Sequence, residues 1–446
     1  MEDWSIEGLN AAIAAGRRSC AEIVGGALAR ATDPDGEGSR VFRGLRREAA
    51  LVQARAQGLL RSVGLTASPL AGLLVSIKDN IDFAGERTRG GCKLLEGVSP
   101  ATQHAPVVRR LHAAGAIVVG RTNMSELAFS GVGYNRFYGT PANPFDRDTR
   151  RIPGGSSSGA AISVTDGMAV AALGTDTGGS VRVPAALTGL VGFKPTQARV
   201  PAEGVLPLST VLDCIGPLAR NVADCAQIDG ILADDPTPLV PLKGCLRLCT
   251  ADDVMLRDAD DVVLAAYLDA KETLLSSGAQ IDPLPSGIFA EMAEYSHRGT
   301  FSNAESWERF GSLVEGRPHD IDPRIAERIL RGRSMTATDW LANLRARETM
   351  MSRFESAMTS YDALIAPTTP IIAPPIADMK DDGRYRRANG LILRNPMIAN
   401  LLDAPSLSLP CHLPGAAPVG LMLIGPRMAD RGLLNIGAGI EPLLRR

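Results

Sequence analysis

Histidine is scarce in this chain of 446 residues: five are present, at 104, 112, 297, 319 and 412, in no metal-binding or catalytic spacing. A centre built on serine, histidine and an acid would have to draw its base from these five, and each reads more simply as an ordinary surface or core histidine. Lysine is rare as well, because arginine supplies nearly all the positive charge. There is no dense basic tract and the formal net charge is −2, so a nucleic-acid backbone is not the expected partner. No apolar run reaches transmembrane length, and the opening MEDWSIEGLN lacks the charged-then-apolar order of an export signal. A soluble, cytoplasmic protein without a membrane partner is expected. The seven cysteines (20, 92, 214, 225, 245, 249, 411) are odd in number and scattered, which points to reduced thiols rather than a disulfide framework. Cys245 and Cys249 lie one helical turn apart, yet no second pair or nearby histidine completes a metal site.

What is present is ample apolar material, 45% of the chain, arranged in two rhythms. Over the first sixty residues the period is helical: Ser5 to Ala15, an apolar run behind the capping-box spacing Ser19-Cys-Ala-Glu22, and Val41 to Leu60, with a turn at ATDPDGEG. From residue 70 short apolar runs alternate with helices: strand AGLLVSI, helix APVVRRLHAAG, strand AIVVG, helix MSELAFS. Continuous apolar strands of this kind belong to a sheet buried on both faces. Later come helical periods at Asp260 to Leu275 and Thr338 to Met358, strands in YDALIAPTTP, APSLSLPC and VGLMLIG, and a closing amphipathic helix. Between about 287 and 333 the pattern is weak, which suits loops or helices over a pocket.

The stretch RIPGGSSSGA, residues 151–160, has the composition of a flexible linker. A linker separates a finished core from a new one, but here the strand-helix rhythm continues unbroken on both sides, through a small-residue helix at Gly159 to Asp166, strand AVAALG, loop TDTGGS, a helix from about Ser180 and strand LVGFKPT. Lys78 ends the apolar strand GLLVSIKDN; it is a candidate for desolvation, the alternative being a side chain that reaches water or pairs with Asp79. To accept a proton at neutral pH its pKa must fall by roughly three pH units, about 4 kcal/mol, which burial can impose. In GTDTGGSVRVP the glycine pair lets successive N–H groups point into one small space at a helix start, as an oxyanion hole requires, although a plain turn fits equally well. The phosphate-loop lysine and the G-x-G-x-x-G spacing are absent from this loop.

VSIKDN, GRTNMSELAFS, GGSSSG, GTDTGGSVRVPAALTGLVGFKPT and DCIGPLARNVADC, in this order and spacing, resemble the amidase signature family. The likeness is strongest over residues 68–226 and extends, through YDALIAPTTP, PSLSLPC and PVGLMLIG, almost to the carboxyl end. It implies one domain over residues 1–446, an α/β/α sandwich around a large mixed twisted β-sheet, with N-terminal helices at 1–65 and a variable pocket-covering region at 287–400. It also implies a catalytic trio in which Ser180 is the nucleophile, Ser156 the bridging serine in a cis peptide and Lys78 the base; the 24 residues between the serines match the family's interval. By the same resemblance the N–H groups of Thr177, Gly178, Gly179 and Ser180 form the oxyanion hole, Ser157, Asp176 and Arg182 the supporting network, and Ala128, Phe129 and Ser130 part of the acyl pocket. Residues from about 287 to 345 and 375 to 400 are expected to shape the rest.

Ser158, Arg121 and His104 depart from residues common in relatives, which bears on substrate more than on chemistry. The implied activity is hydrolysis of a small carboxamide to acid and ammonia, or amine, with no metal or organic cofactor. A small-molecule amide is the implied partner, and a homodimer is left open. The alternatives are the glutaminase subunit of a tRNA-dependent amidotransferase and a non-catalytic binding protein on the same fold.

Overall fold

Eleven strands join into one sheet in the computed structural model, which describes residues 3–242, 244–284, 286–289 and 291–445. They are β1 (Phe42–Leu45), β2 (Leu74–Lys78), β3 (Ile117–Thr122), β4 (Ala171–Asp176), β5 (Val191–Lys194), β6 (Cys214–Ala219), β7 (Arg247–Thr250), β8 (Gln280–Pro283), β9 (Ala363–Pro367), β10 (Ser406–Pro410) and β11 (Gly420–Ile424). The order across the sheet is β1-β3-β2-β4-β6-β5-β10-β11-β9-β7-β8. Pairing is parallel through β3-β2-β4 and through β9-β7-β8, and antiparallel elsewhere, so the sheet is mixed as expected.

Every residue of β2, β3, β4, β9 and β11 is buried, which is why these strands read as unbroken apolar runs. Alternate side chains serve opposite layers. Val118, Ile365 and Leu423 pack into one apolar cluster with Val108, Ile228 and Leu434 from helices Pro106–Ala113, Val222–Ala233 and Asp430–Leu444. Their neighbours Val119, Leu364 and Met422 face the other side, where helices Cys20–Ala31, Ala337–Met358 and Asp382–Leu401 cover the sheet. Among the described residues no helix is long and apolar enough to cross a membrane.

Two expectations are corrected. Residues 42–45 form the edge strand β1, with a register shift between Phe42 and Gly44, and the helix starts only at Arg47; pairing with β3 overrides the helical period. MSELAFS is a single tight turn, because Leu127 and Ala128 take positive φ (51° and 59°) and so break any helix. The capping box at Ser19 and Glu22 is formed. The weakly patterned stretch holds helices, among them Phe301–Gly316 and Pro323–Leu330.

Candidate active site

Parallel β2 and β4 lie side by side, with Ile77 opposite Leu173, so their carboxyl ends deliver Lys78 and Asp176 to the same rim. Such rims are where open α/β sheets place ligands. Lys78 is fully buried, and its Nζ lies 2.7 Å from Ser156 Oγ, 2.7 Å from Thr175 Oγ1 and 3.2 Å from the Thr175 carbonyl oxygen. Asp79 does not pair with it. That carboxylate instead accepts Arg121 Nε at 2.9 Å and the Gly91 N–H at 3.2 Å. Burial therefore pushes the Lys78 amine down to about 7, against the opposing pull of Asp213 and Asp176. A neutral amine has two N–H groups and one lone pair, so it can donate twice to Thr175 and still accept the Ser156 proton.

The linker-like decapeptide is interior: residues 152–160 are all buried. The Gly155–Ser156 peptide is cis. Gly155 donates its N–H to Gly131 O at 2.7 Å, Ser125 N–H reaches Ser156 O at 3.1 Å, and Ser157 N–H reaches Ser180 O at 3.2 Å. A Cβ at Gly155 would stand 2.5 Å from the Gly133 nitrogen, so only glycine lets these two backbones touch. The strand-helix rhythm on either side was the signal that this segment is not a tether.

Ser180 sits between β4 and helix Arg182–Thr188, its loop held by the buried Asp176 carboxylate. Asp176 accepts the N–H groups of Gly179 (2.7 Å) and Val181 (3.1 Å) and pairs with Arg182 Nη2 at 2.9 Å. Burial alone would raise this carboxyl, but the Arg182 guanidinium overrides it and holds it well below the usual range. The expected oxyanion set narrows accordingly: the Gly179 N–H is spoken for, whereas those of Thr177, Gly178 and Ser180 have no acceptor among the described residues. Gly179 has φ 121°, and a Cβ there would lie 2.6 Å from Pro396 Cγ.

Ser157 is buried beside these groups, its Oγ donating to the Thr175 carbonyl at 3.5 Å and its N–H to the Ser180 carbonyl at 3.2 Å. Asn400 joins the Asp176–Arg182 pair, accepting Arg182 Nη2 at 2.7 Å and donating to the Asp176 carboxylate at 3.0 Å. Nothing in the local sequence around Asn400 signals this role. Thr175, also missed, was legible in principle, since it precedes Asp176 on the strand parallel to the one that ends in Lys78. Asp213 receives the Thr177 hydroxyl, and burial raises its carboxyl to about 6.

Ala128, Phe129 and Ser130 line a narrow crevice together with Thr177, Gly178 and Ser180, about 20 Å³ in volume, which holds about one water. Ser130 Oγ donates to Asn389 Oδ1 at 3.0 Å and accepts the Tyr385 hydroxyl at 2.7 Å. Leu208, Ser302, Arg328, Leu393 and Met397 complete the wall, and all of these but Leu208 come from the stretches expected to shape the pocket. None of the five histidines lines it. Among the described residues no three His, Cys, Asp or Glu side chains converge as metal ligands would.

A family model described as Amidase matches residues 41–434. The chain is 35% identical over 397 residues to the 2-amino-5-chloromuconic acid deaminase of Comamonas testosteroni, covering 88% of this chain and 86% of that one. It is 33% identical over 471 aligned positions to the A subunit of the Glutamyl-tRNA(Gln) amidotransferase of Chloroflexus aggregans, covering 97% and 95%. A solved structure described as an amidase superposes with a TM-score of 0.88 at 31% identity, over 99% of this chain and 100% of that one.

Proposed function

The chain belongs to the amidase family, and from that membership we propose that it hydrolyses a small carboxamide to carboxylic acid and ammonia, or amine, through an acyl-enzyme on Ser180. The observation that carries this reading is the buried Lys78 amine, free of any carboxylate contact and 2.7 Å from Ser156 Oγ. Serine is a weak nucleophile at its own pKa and needs a base. Lys78 takes the Ser156 proton while Ser156 takes that of Ser180, and the Ser180 oxygen attacks the amide carbon. The charge that develops on the carbonyl oxygen is stabilised by the N–H groups of Thr177, Gly178 and Ser180, each donor being worth about 3 kcal/mol. The relay then returns the proton to the leaving nitrogen, the C–N bond breaks, and water entering by the same relay releases the acid.

The relatives' names point to different substrates, an amino-chloromuconic acid in one and glutamyl-tRNA(Gln) in the other. A stand-alone hydrolase is the reading we adopt. A fluorophosphonate is expected to label Ser180. Ser180→Ala is expected to abolish the label and lower ammonia release by at least about 1,000-fold. Labelling that survives in Ser180→Ala contradicts the reading, and a purified chain that releases ammonia only when partner subunits are added supports the amidotransferase role instead.

A further inference from the structure

The crevice over Ser180 carries one charge. Among the described residues that line it, Arg328 alone is ionic; its neighbours there include Phe129, Leu208, Leu393 and Met397. Arg328 lies on helix Pro323–Leu330, half-buried, with its backbone carbonyl anchored by Asn303 Nδ2 at 2.8 Å. The surrounding arginines are neutralised by carboxylates. Arg324 pairs with Asp322 at 2.6 Å, while Glu327 is shared by Arg331 at 3.0 Å and Arg386 at 2.8 Å. The Tyr385 hydroxyl is committed to Ser130. Arg328 has no hydrogen-bond acceptor and no carboxylate partner for its guanidinium among the described residues. Its guanidinium carbon sits 4.4 Å from the centroid of the Phe129 ring, an arrangement that supports the cation and keeps its N–H edge available.

A half-buried cation without a counter-ion is costly unless a ligand supplies one. The geometry points to Arg328 as a specificity-determining residue that binds a carboxylate on the acyl side of the substrate, which makes half-amides of dicarboxylic acids the substrate class. The inference rests on amide hydrolysis at Ser180 and says which amides that site accepts. A guanidinium receives a carboxylate through two parallel hydrogen bonds, and a neutral acyl chain of equal length leaves the same donors unpaired in an apolar wall.

The test compares kcat/KM for malonamate, succinamate and glutaramate with that for propionamide, butyramide and valeramide, in wild type, Arg328→Gln and Arg328→Lys. At the preferred length the wild-type ratio of anionic to neutral amide is expected to be on the order of 100-fold, collapsing to within about threefold in Arg328→Gln and staying intermediate in Arg328→Lys. A wild-type ratio near unity, or one that Arg328→Gln leaves intact, overturns the inference. Labelling of Ser180 by a neutral sulfonyl fluoride, read in parallel, separates the two levels: an unlabelled wild type counts against hydrolysis at Ser180, while labelled proteins with no change in ratio count only against Arg328. Protection from that label by malonate, succinate or glutarate, lost in Arg328→Gln, supports the same role from binding alone, and absence of protection in wild type overturns the inference.

Discussion

Lys78 and Asp79 are adjacent in sequence and could have formed an ordinary ion pair, yet the fold gives them different partners. Arg121, itself buried, takes the carboxylate, and Thr175 and Ser156 take the amine. Desolvation of the amine is therefore not offset by a contact charge, which is what brings it to about 7. The second buried pair, Asp176 with Arg182, works in the opposite sense: both side chains are fully buried, and the carboxylate stays ionised because the guanidinium and two N–H groups hold it. Its pKa is depressed in the folded state, so its stabilisation is present above the unfolded carboxyl value and is lost as pH falls through the folded one. Asp176→Asn leaves Arg182 uncompensated in the interior and is expected to lower the unfolding free energy by about 3–5 kcal/mol in urea denaturation. A loss below about 1 kcal/mol contradicts the structural role.

At the scale of elements, the buried strands and their flanking helices were legible because each is a continuous apolar run or a clean helical period. The misreadings share a cause, which is tertiary pairing that local pattern does not carry. β1 hides inside a helical period, β6 contains Pro217, and β8 is largely exposed at the sheet edge. Helix Asp382–Leu401 went unnoticed because Pro396 lies inside it, and it is the element the site leans on most. It supplies Asn400 to the Asp176 network, Asn389 to Ser130, and Leu393 and Met397 to the crevice. Motif and interval named Lys78, Ser156 and Ser180 as the candidate trio, and most of the crevice wall falls in the stretches the sequence pointed to, whereas Leu208, Thr175 and the role of Asn400 were missed. Met397→Ala removes a flexible apolar side chain next to Gly178 and is expected to raise kcat/KM for branched or aryl acyl amides relative to acetamide by about tenfold. An unchanged ratio contradicts this helix's role in setting acyl size.

At the scale of the whole molecule, helices on both faces of an eleven-stranded sheet keep water from the end of β2. That enclosure has a cost with a definite sign. Between about 7 and the unfolded lysine value the unfolded chain holds a proton that the folded one lacks, so stability rises with pH across that window, and below about 7 the penalty for burying the protonated amine is full. That loss of stability is what the proposed role of Lys78 requires, since a base must be neutral near the working pH. The most direct measurement is the rate at which a neutral sulfonyl fluoride sulfonylates Ser180, with release of fluoride, from about pH 5 to about pH 10, in wild type and in Lys78→Ala. A desolvated Lys78 base predicts a wild-type rate that climbs tenfold per pH unit and levels off above about pH 7, and a Lys78→Ala rate on the order of 1,000-fold lower at that plateau, without the inflection. A wild-type rate that is flat throughout, or that is still rising near pH 10 as an ordinary lysine's would, contradicts it.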